Sequence, residues 1–137
     1  MLVLPFSRIN PGIHLTIIGG EFRPATESLV GPIALEELSR FHVKYAFVGT
    51  DGYSLETGLT THLIEGAEIV KKMASQADRT ILVADSSKYG KRGFAHVLDI
   101  NRVDEIITDF PISRDIMTQL KDRGIKVEIA GLKNTKE

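Results

Sequence analysis

The sequence predicts an α/β fold, a mostly parallel sheet flanked by helices, and three observations carry that prediction. Short runs rich in β-branched residues alternate along the chain with stretches of helical period. The segments between successive runs have helical length, as parallel strands require, rather than being the tight turns that join antiparallel ones. The chain has 137 residues, 42% of them hydrophobic, which is enough for one core and one domain.

Residues 14–19 (HLTIIG) read as the first strand, rich in β-branched side chains and closed by Gly19 and Gly20. Residues 21–30 read as a loop. Gly31 and Pro32 open a helix, because the missing N–H of proline costs nothing in a first turn. Ile33, Leu35, Leu38 and Phe41 form its apolar side. Residues 45–48 (YAFV) are a strand, followed by a long Gly- and Thr-rich loop to about Leu63. A second helix is expected from about Glu65 to Ala77, burying Ala67, Val70, Met73, Ala74 and Ala77. Residues 80–84 (TILVA) are a nearly unbroken apolar run, the pattern of a strand covered on both faces. A polar loop over 85–93 leads to short strands at 94–97 and 105–108. Ser113 caps a helix to about Asp122, with Ile116, Met117 and Leu120 inward and Gly124 as its stop. Residues 125–129 (IKVEI) close the series, and the tail after Gly131 is polar.

Composition excludes several function classes. Seventeen Lys and Arg stand against eighteen Asp and Glu, interleaved along the chain, for a net charge of −1. A self-sufficient DNA-binding domain needs a basic stripe to neutralise phosphates, and there is none. No apolar run approaches the roughly 18 residues of a membrane helix, so no membrane partner is expected. The absence of cysteine removes disulfides, thiolate nucleophiles and cysteine zinc sites, and it fits a reducing interior. His14, His42, His62 and His96 lie far apart without an i,i+4 pair, so no metal site is expected. No phosphate-loop, nucleophile-elbow or dinucleotide motif implies a cofactor.

In an open parallel sheet, ligands bind beyond the carboxyl ends of the strands. Residues 47–51 end in Asp51 and Gly52, residues 82–85 end in Asp85 with Lys88 three positions on, and residues 106–109 end in Asp109. Three strands thus deliver a carboxylate to one rim, together with a lysine to balance them. Such a set suits a small polyhydroxylated anion, with hydroxyls on carboxylates and a phosphate on lysine and loop N–H groups. An aspartate at a strand end also commonly folds its own turn, and that reading holds for each one taken singly.

The segments IIGGEFR (17–23), SLVGP (28–32), AFVGTDG (46–52), GLTT (58–61), ADSSKYG (84–90) and IITD (106–109) occur in that order. The series resembles the carboxy-terminal sensor domain of the DeoR family of bacterial transcriptional regulators, over about residues 14–129. The resemblance implies the fold of ribose phosphate isomerase, glucosamine phosphate deaminase and CoA transferases. It implies a phosphorylated sugar or related metabolite as effector, in a cytoplasmic homo-oligomer, dimer or tetramer. It further implies control of an amino-terminal helix-turn-helix domain, commonly as a repressor. By motif, Asp51, Gly52, Asp85 and Lys88 line the effector pocket, with Thr60, Thr61 and Arg23 beside them. Residues 1–137 are then expected to be a single, partial sensor domain. The helix-turn-helix region and the first strands of the sensor domain are absent from this sequence, so the fold is expected to be incomplete.

Two other readings compete. A sugar phosphate isomerase would use Asp51 or Asp85 as base and Lys88 to stabilise the enediolate. The single aspartate in residues 49–54 speaks against it, and the expectation is a protein that is not an enzyme. An interaction module would dock a basic partner on the acidic rim.

Overall fold

The computed structural model describes residues 9–10, 12–109 and 112–131. The tail after Gly131 lies outside them. A hairpin of β1 (Glu21–Arg23) and β2 (Ser28–Val30) comes first, then α1 (Gly31–Leu38) with Pro32 in its first turn. β3 (Val43–Val48) is followed by the antiparallel pair β4 (Gly52–Ser54) and β5 (Gly58–Thr61), and by α2 (Ile64–Ser75). β6 (Ala77–Val83), a 3-10 turn at Ser86–Lys88, and β7 (Ala95–Leu98) come next. β8 (Glu105–Thr108), α3 (Arg114–Asp122) and β9 (Lys126–Ile129) complete the chain.

Two sheets organise the core. β3, β6, β8 and β9 form a four-stranded sheet in that order, every pair parallel. β4, β5 and β7 form a three-stranded antiparallel sheet. Ala46, Val48, Leu82 and Ile106 point from the parallel sheet into a core shared with Tyr53 and Leu59 of the smaller one. Ala67 and Ala74 of α2 and Leu120 of α3 join them. The fold is the expected α/β sheet flanked by helices. Ser113 caps α3 through its hydroxyl, which accepts from the Ile116 N–H at 3.3 Å.

Four expectations need correction. Residues 14–19 form no strand, and Leu15 and Ile17 are exposed. Strand propensity needs a ladder partner, and no described strand pairs with this segment. The loops expected at 21–30 and 49–63 instead contain β1–β2 and β4–β5, three- and four-residue strands too short for the alternation that marks a strand in sequence. α1 ends at Leu38, burying Ala34 fully while Ile33 stays exposed. β6 is not covered on both faces, since Val83 is open to solvent.

Candidate functional site

The loop after β3 is built around one aspartate. The Asp51 carboxylate accepts through one oxygen, Oδ2, from the Thr61 hydroxyl at 2.7 Å and from the His62 N–H at 2.9 Å. Its other oxygen accepts no bond from a described residue. Burial raises the Asp51 pKa, but those two bonds and the charges of His62 and Lys88 outweigh it and hold the carboxyl below its ordinary value. Asp51 is therefore ionised, and it pins the approach to α2.

Gly52 and Thr60 sit beneath this loop. Thr60 is buried, donating to the Gly52 carbonyl at 3.0 Å and accepting from the Gly93 N–H at 2.8 Å. The Thr50 hydroxyl lies 2.8 Å from the carbonyls of both Gly52 and Thr60. A Cβ on Gly52 would stand 2.2 Å from the Lys91 carbonyl oxygen, so only glycine lets the two backbones meet. Both residues shape the loop, and neither presents a free group.

Lys88 is carried by the turn after β6. The Asp85 carboxylate accepts from the Ser87 N–H at 3.0 Å, and Asp109 accepts from the Ser86 N–H at 2.6 Å. The Gly90 N–H donates to the Tyr53 carbonyl at 2.9 Å, and the Tyr53 and Tyr89 rings meet edge to face at 5.3 Å. The turn is thus tied to β6, β8 and β4 together. The Lys88 ammonium makes no ion pair or hydrogen bond with a described residue. Its charge helps to lower the pKa of Asp51 and also that of Asp85, whose carboxyl is held down first by the Ser87 side chain. The Lys88 charge is thus near enough to act on the carboxyls of both Asp51 and Asp85 at the carboxyl end of the sheet.

Arg23 and Thr61 lie to one side, on a cavity of about 790 Å³ between the β1–β2 hairpin and α2. Its floor is largely apolar, from Leu29, Ile69, Val70 and Met73, and Asp51 stands on its wall. Arg23 is already engaged there, 3.2 Å from Glu65 of α2 and 3.6 Å from Glu21. The cavity wall does not include Asp85 or Lys88, so the expected residues divide between a rim and an adjoining cavity that meet at Asp51.

Sequence reasoning set His62 aside as a scattered histidine. Its backbone is bound to Asp51 and it lines the cavity. The available signal was its place between Thr61 and the start of a helix. Among the described residues no three His, Asp or Glu side chains group closely enough to hold a metal ion.

A family model, the DeoR C terminal sensor domain, matches residues 6–110. The chain belongs to this family. The sensor-domain chain is 33% identical over 120 residues to a putative aga operon transcriptional repressor of Escherichia coli O157:H7, covering 88% of this chain and 45% of that protein. It is 36% identical over 98 residues to the HTH-type transcriptional repressor GlcR of Bacillus subtilis, covering 72% and 38%. It is 23% identical over 121 residues to the glycerol-3-phosphate regulon repressor of Escherichia coli K12, covering 88% and 48%. This sensor-domain chain thus spans about half the length of the curated relatives it matches. Those relatives bear the names of transcriptional regulators and not of enzymes, which sets aside the isomerase reading. No helix among the described residues is long and apolar enough to cross a membrane.

Proposed function

We propose that this chain is the effector-sensing part of a DeoR-type repressor, and that it binds a phosphorylated sugar or related metabolite where Asp51, Asp85 and Lys88 converge. The observation that carries the reading is the Lys88 ammonium, whose charge helps to lower the pKa of both Asp51 and Asp85 while it pairs directly with neither. A phosphate takes the ammonium, and ligand hydroxyls donate to the free oxygens of Asp51 and Asp85. Thr61 and Arg23 border the ligand from the cavity side, while Gly52 and Thr60 hold the loop in shape. The name of the glycerol-3-phosphate regulon repressor supports a phosphorylated polyol as the ligand class. In this reading the protein is a cytoplasmic homo-oligomer, dimer or tetramer, and this chain is a partial sensor domain. Ligand binding alters how a helix-turn-helix domain outside this chain holds DNA.

Thermal denaturation with a panel of sugar phosphates, their parent sugars and inorganic phosphate tests this reading. A ligand at a hundred times its Kd stabilises by about 2.7 kcal/mol, so the midpoint should climb with concentration for a phosphorylated sugar and not for its parent. Lys88→Ala should abolish the response while shifting the ligand-free midpoint little, because that ammonium holds no partner. A response that survives in Lys88→Ala, or that parent sugars match, would refute the assignment.

A further inference from the structure

Tyr53 and Thr108 hold the two buried side-chain polar atoms that make no hydrogen bond among the described residues, and both are hydroxyls. Tyr53 is fully buried and Thr108 is 2% exposed. A hydroxyl removed from water without a partner destabilises the fold, and native interiors leave few such groups. Thr108 ends β8 directly before Asp109, whose carboxylate accepts from the Ser86 N–H at 2.6 Å. Tyr53 sits in the middle of β4, its carbonyl accepting from the Gly90 N–H at 2.9 Å. Both residues therefore flank the turn that carries Lys88.

Burial raises the Tyr53 pKa above its ordinary 10.0; the Thr108 side chain opposes that rise, and the charges of Asp109 and Asp85 add to it. The Tyr53 hydroxyl thus ends near Thr108 and within reach of the carboxylates that border the Lys88 turn. Tyr89 packs over this corner, its ring edge to face on Tyr53. It is half-buried, and its hydroxyl makes no hydrogen bond with a described residue. Its ring can therefore leave Tyr53 without breaking a side-chain hydrogen bond.

We propose that Tyr53 and Thr108 form the inner wall of the effector site, where their hydroxyls read one hydroxyl of a phosphorylated polyol once Tyr89 swings aside. The proposal rests on the ligand assignment above, in which Lys88 takes the phosphate. A ligand hydroxyl accepts from one of the two side chains and donates to the other, so three groups are satisfied together. The two orphan hydroxyls then serve discrimination. A ligand with no hydroxyl at that place leaves both unpaired, and a site built to bond a hydroxyl rejects the analogue that lacks it. The ligand class narrows accordingly. Inorganic phosphate or an alkyl phosphate satisfies Lys88 but not the inner wall, whereas a polyol phosphate satisfies both.

Calorimetric titration of the 137-residue chain tests it, with glycerol-3-phosphate, glucose-6-phosphate and fructose-6-phosphate set against propyl phosphate and inorganic phosphate. At least one polyol phosphate should bind wild type roughly tenfold or more tightly than propyl phosphate does. Tyr53→Phe and Thr108→Val should each remove that preference and leave the binding of propyl phosphate unchanged. Neither should lower the ligand-free Tm, because the hydroxyl removed held no partner. The chain has no tryptophan and three tyrosines, so its tyrosine absorbance reports on Tyr53 and Tyr89. The polyol phosphate should shift that absorbance in wild type and in Tyr45→Phe, and much less in Tyr53→Phe. Equal binding of polyol and propyl phosphates, a preference that survives both substitutions, a Tm lowered by both, or an unmoved tyrosine spectrum would overturn the proposal. Where Lys88→Ala abolishes binding and Tyr53→Phe does nothing, the inner wall fails alone. Where no polyol phosphate binds wild type, the ligand assignment fails and the inner wall falls with it.

Discussion

Asp51→Asn isolates the charge at the junction of rim and cavity. The Asp51 carboxylate accepts bonds of 2.7 and 2.9 Å through one oxygen, and both can be kept by an amide oxygen in the same place. A bond to an ionised group contributes about 1.5–3 kcal/mol against about 0.5–1.5 kcal/mol for a neutral one. Asp51 is only half-buried, so water recovers part of that difference at each bond. The expected loss for asparagine is about 1 kcal/mol, or roughly 3–5 °C in Tm for a chain of this size. Alanine, which leaves Thr61 and His62 without their acceptor, should cost about 2 kcal/mol. The pH dependence has a fixed sign. The carboxyl is held below its ordinary 3.8 in the folded state, so its contribution is fully present above that value. It is lost as pH falls through the lowered pKa. Urea unfolding of wild type and Asp51→Asn should therefore differ by a constant amount near neutrality and converge in strong acid. Equal stabilities at pH 7, or a gap that widens on acidification, would refute the account of the charge.

Two further substitutions probe the scaffold. Gly52→Ala drives a methyl to 2.2 Å from the Lys91 carbonyl oxygen, a backbone atom that cannot swing aside. It should cost about 3 kcal/mol or more and appear as a much lower urea midpoint or as insoluble expression. Glu105→Gln removes the buried carboxylate between Lys126 and Arg79 and should cost about 1–2 kcal/mol, because both cations remain solvated. Bonds to Glu105 and then to Glu128 raise the Lys126 pKa above its ordinary 10.5, so wild type should lose this contribution as pH rises through the raised value. The variant should show a shallower alkaline decline in unfolding free energy.

The parallel sheet was legible because its strands are apolar runs that the core demands. Leu82 and Ile106, for instance, are fully buried, where an unpaired polar group would be costly. α2 and α3 were legible through a 3.6-residue period and, for α3, through the Ser113 cap. β4 and β5 were not, since their residues are small, polar and fixed by hydroxyl bonds such as those of Thr50 and Thr60 that leave no periodic trace. The segment at 14–19 misled in the opposite direction, because composition reports what a strand would contain and not whether a neighbour exists to pair with it. At the candidate site, the sequence placed strand ends just before Asp51, Asp85 and Asp109, and β3, β6 and β8 do end within three residues of them. Sequence could not say that Arg23 would be engaged by Glu65 or that the cavity would miss the Lys88 turn.

An aspartate that folds its own turn and an aspartate that serves a ligand are often treated as exclusive readings, and the Ser86–Lys88 turn shows why they need not be. Asp85 and Asp109 spend one oxygen each on backbone N–H groups of that turn. Those bonds fix the backbone of the turn that carries Lys88, while Asp85 makes no direct ion pair with its ammonium. Had either carboxylate closed a direct ion pair with Lys88, an incoming phosphate would first have to break it, losing what it gained. Without such a pair, the Lys88 charge still acts on Asp85 through space and its three donors stay available to a ligand in the proposed site. Under the proposed function, the local turn chemistry is thus the means by which the rim presents a positive charge without a direct partner.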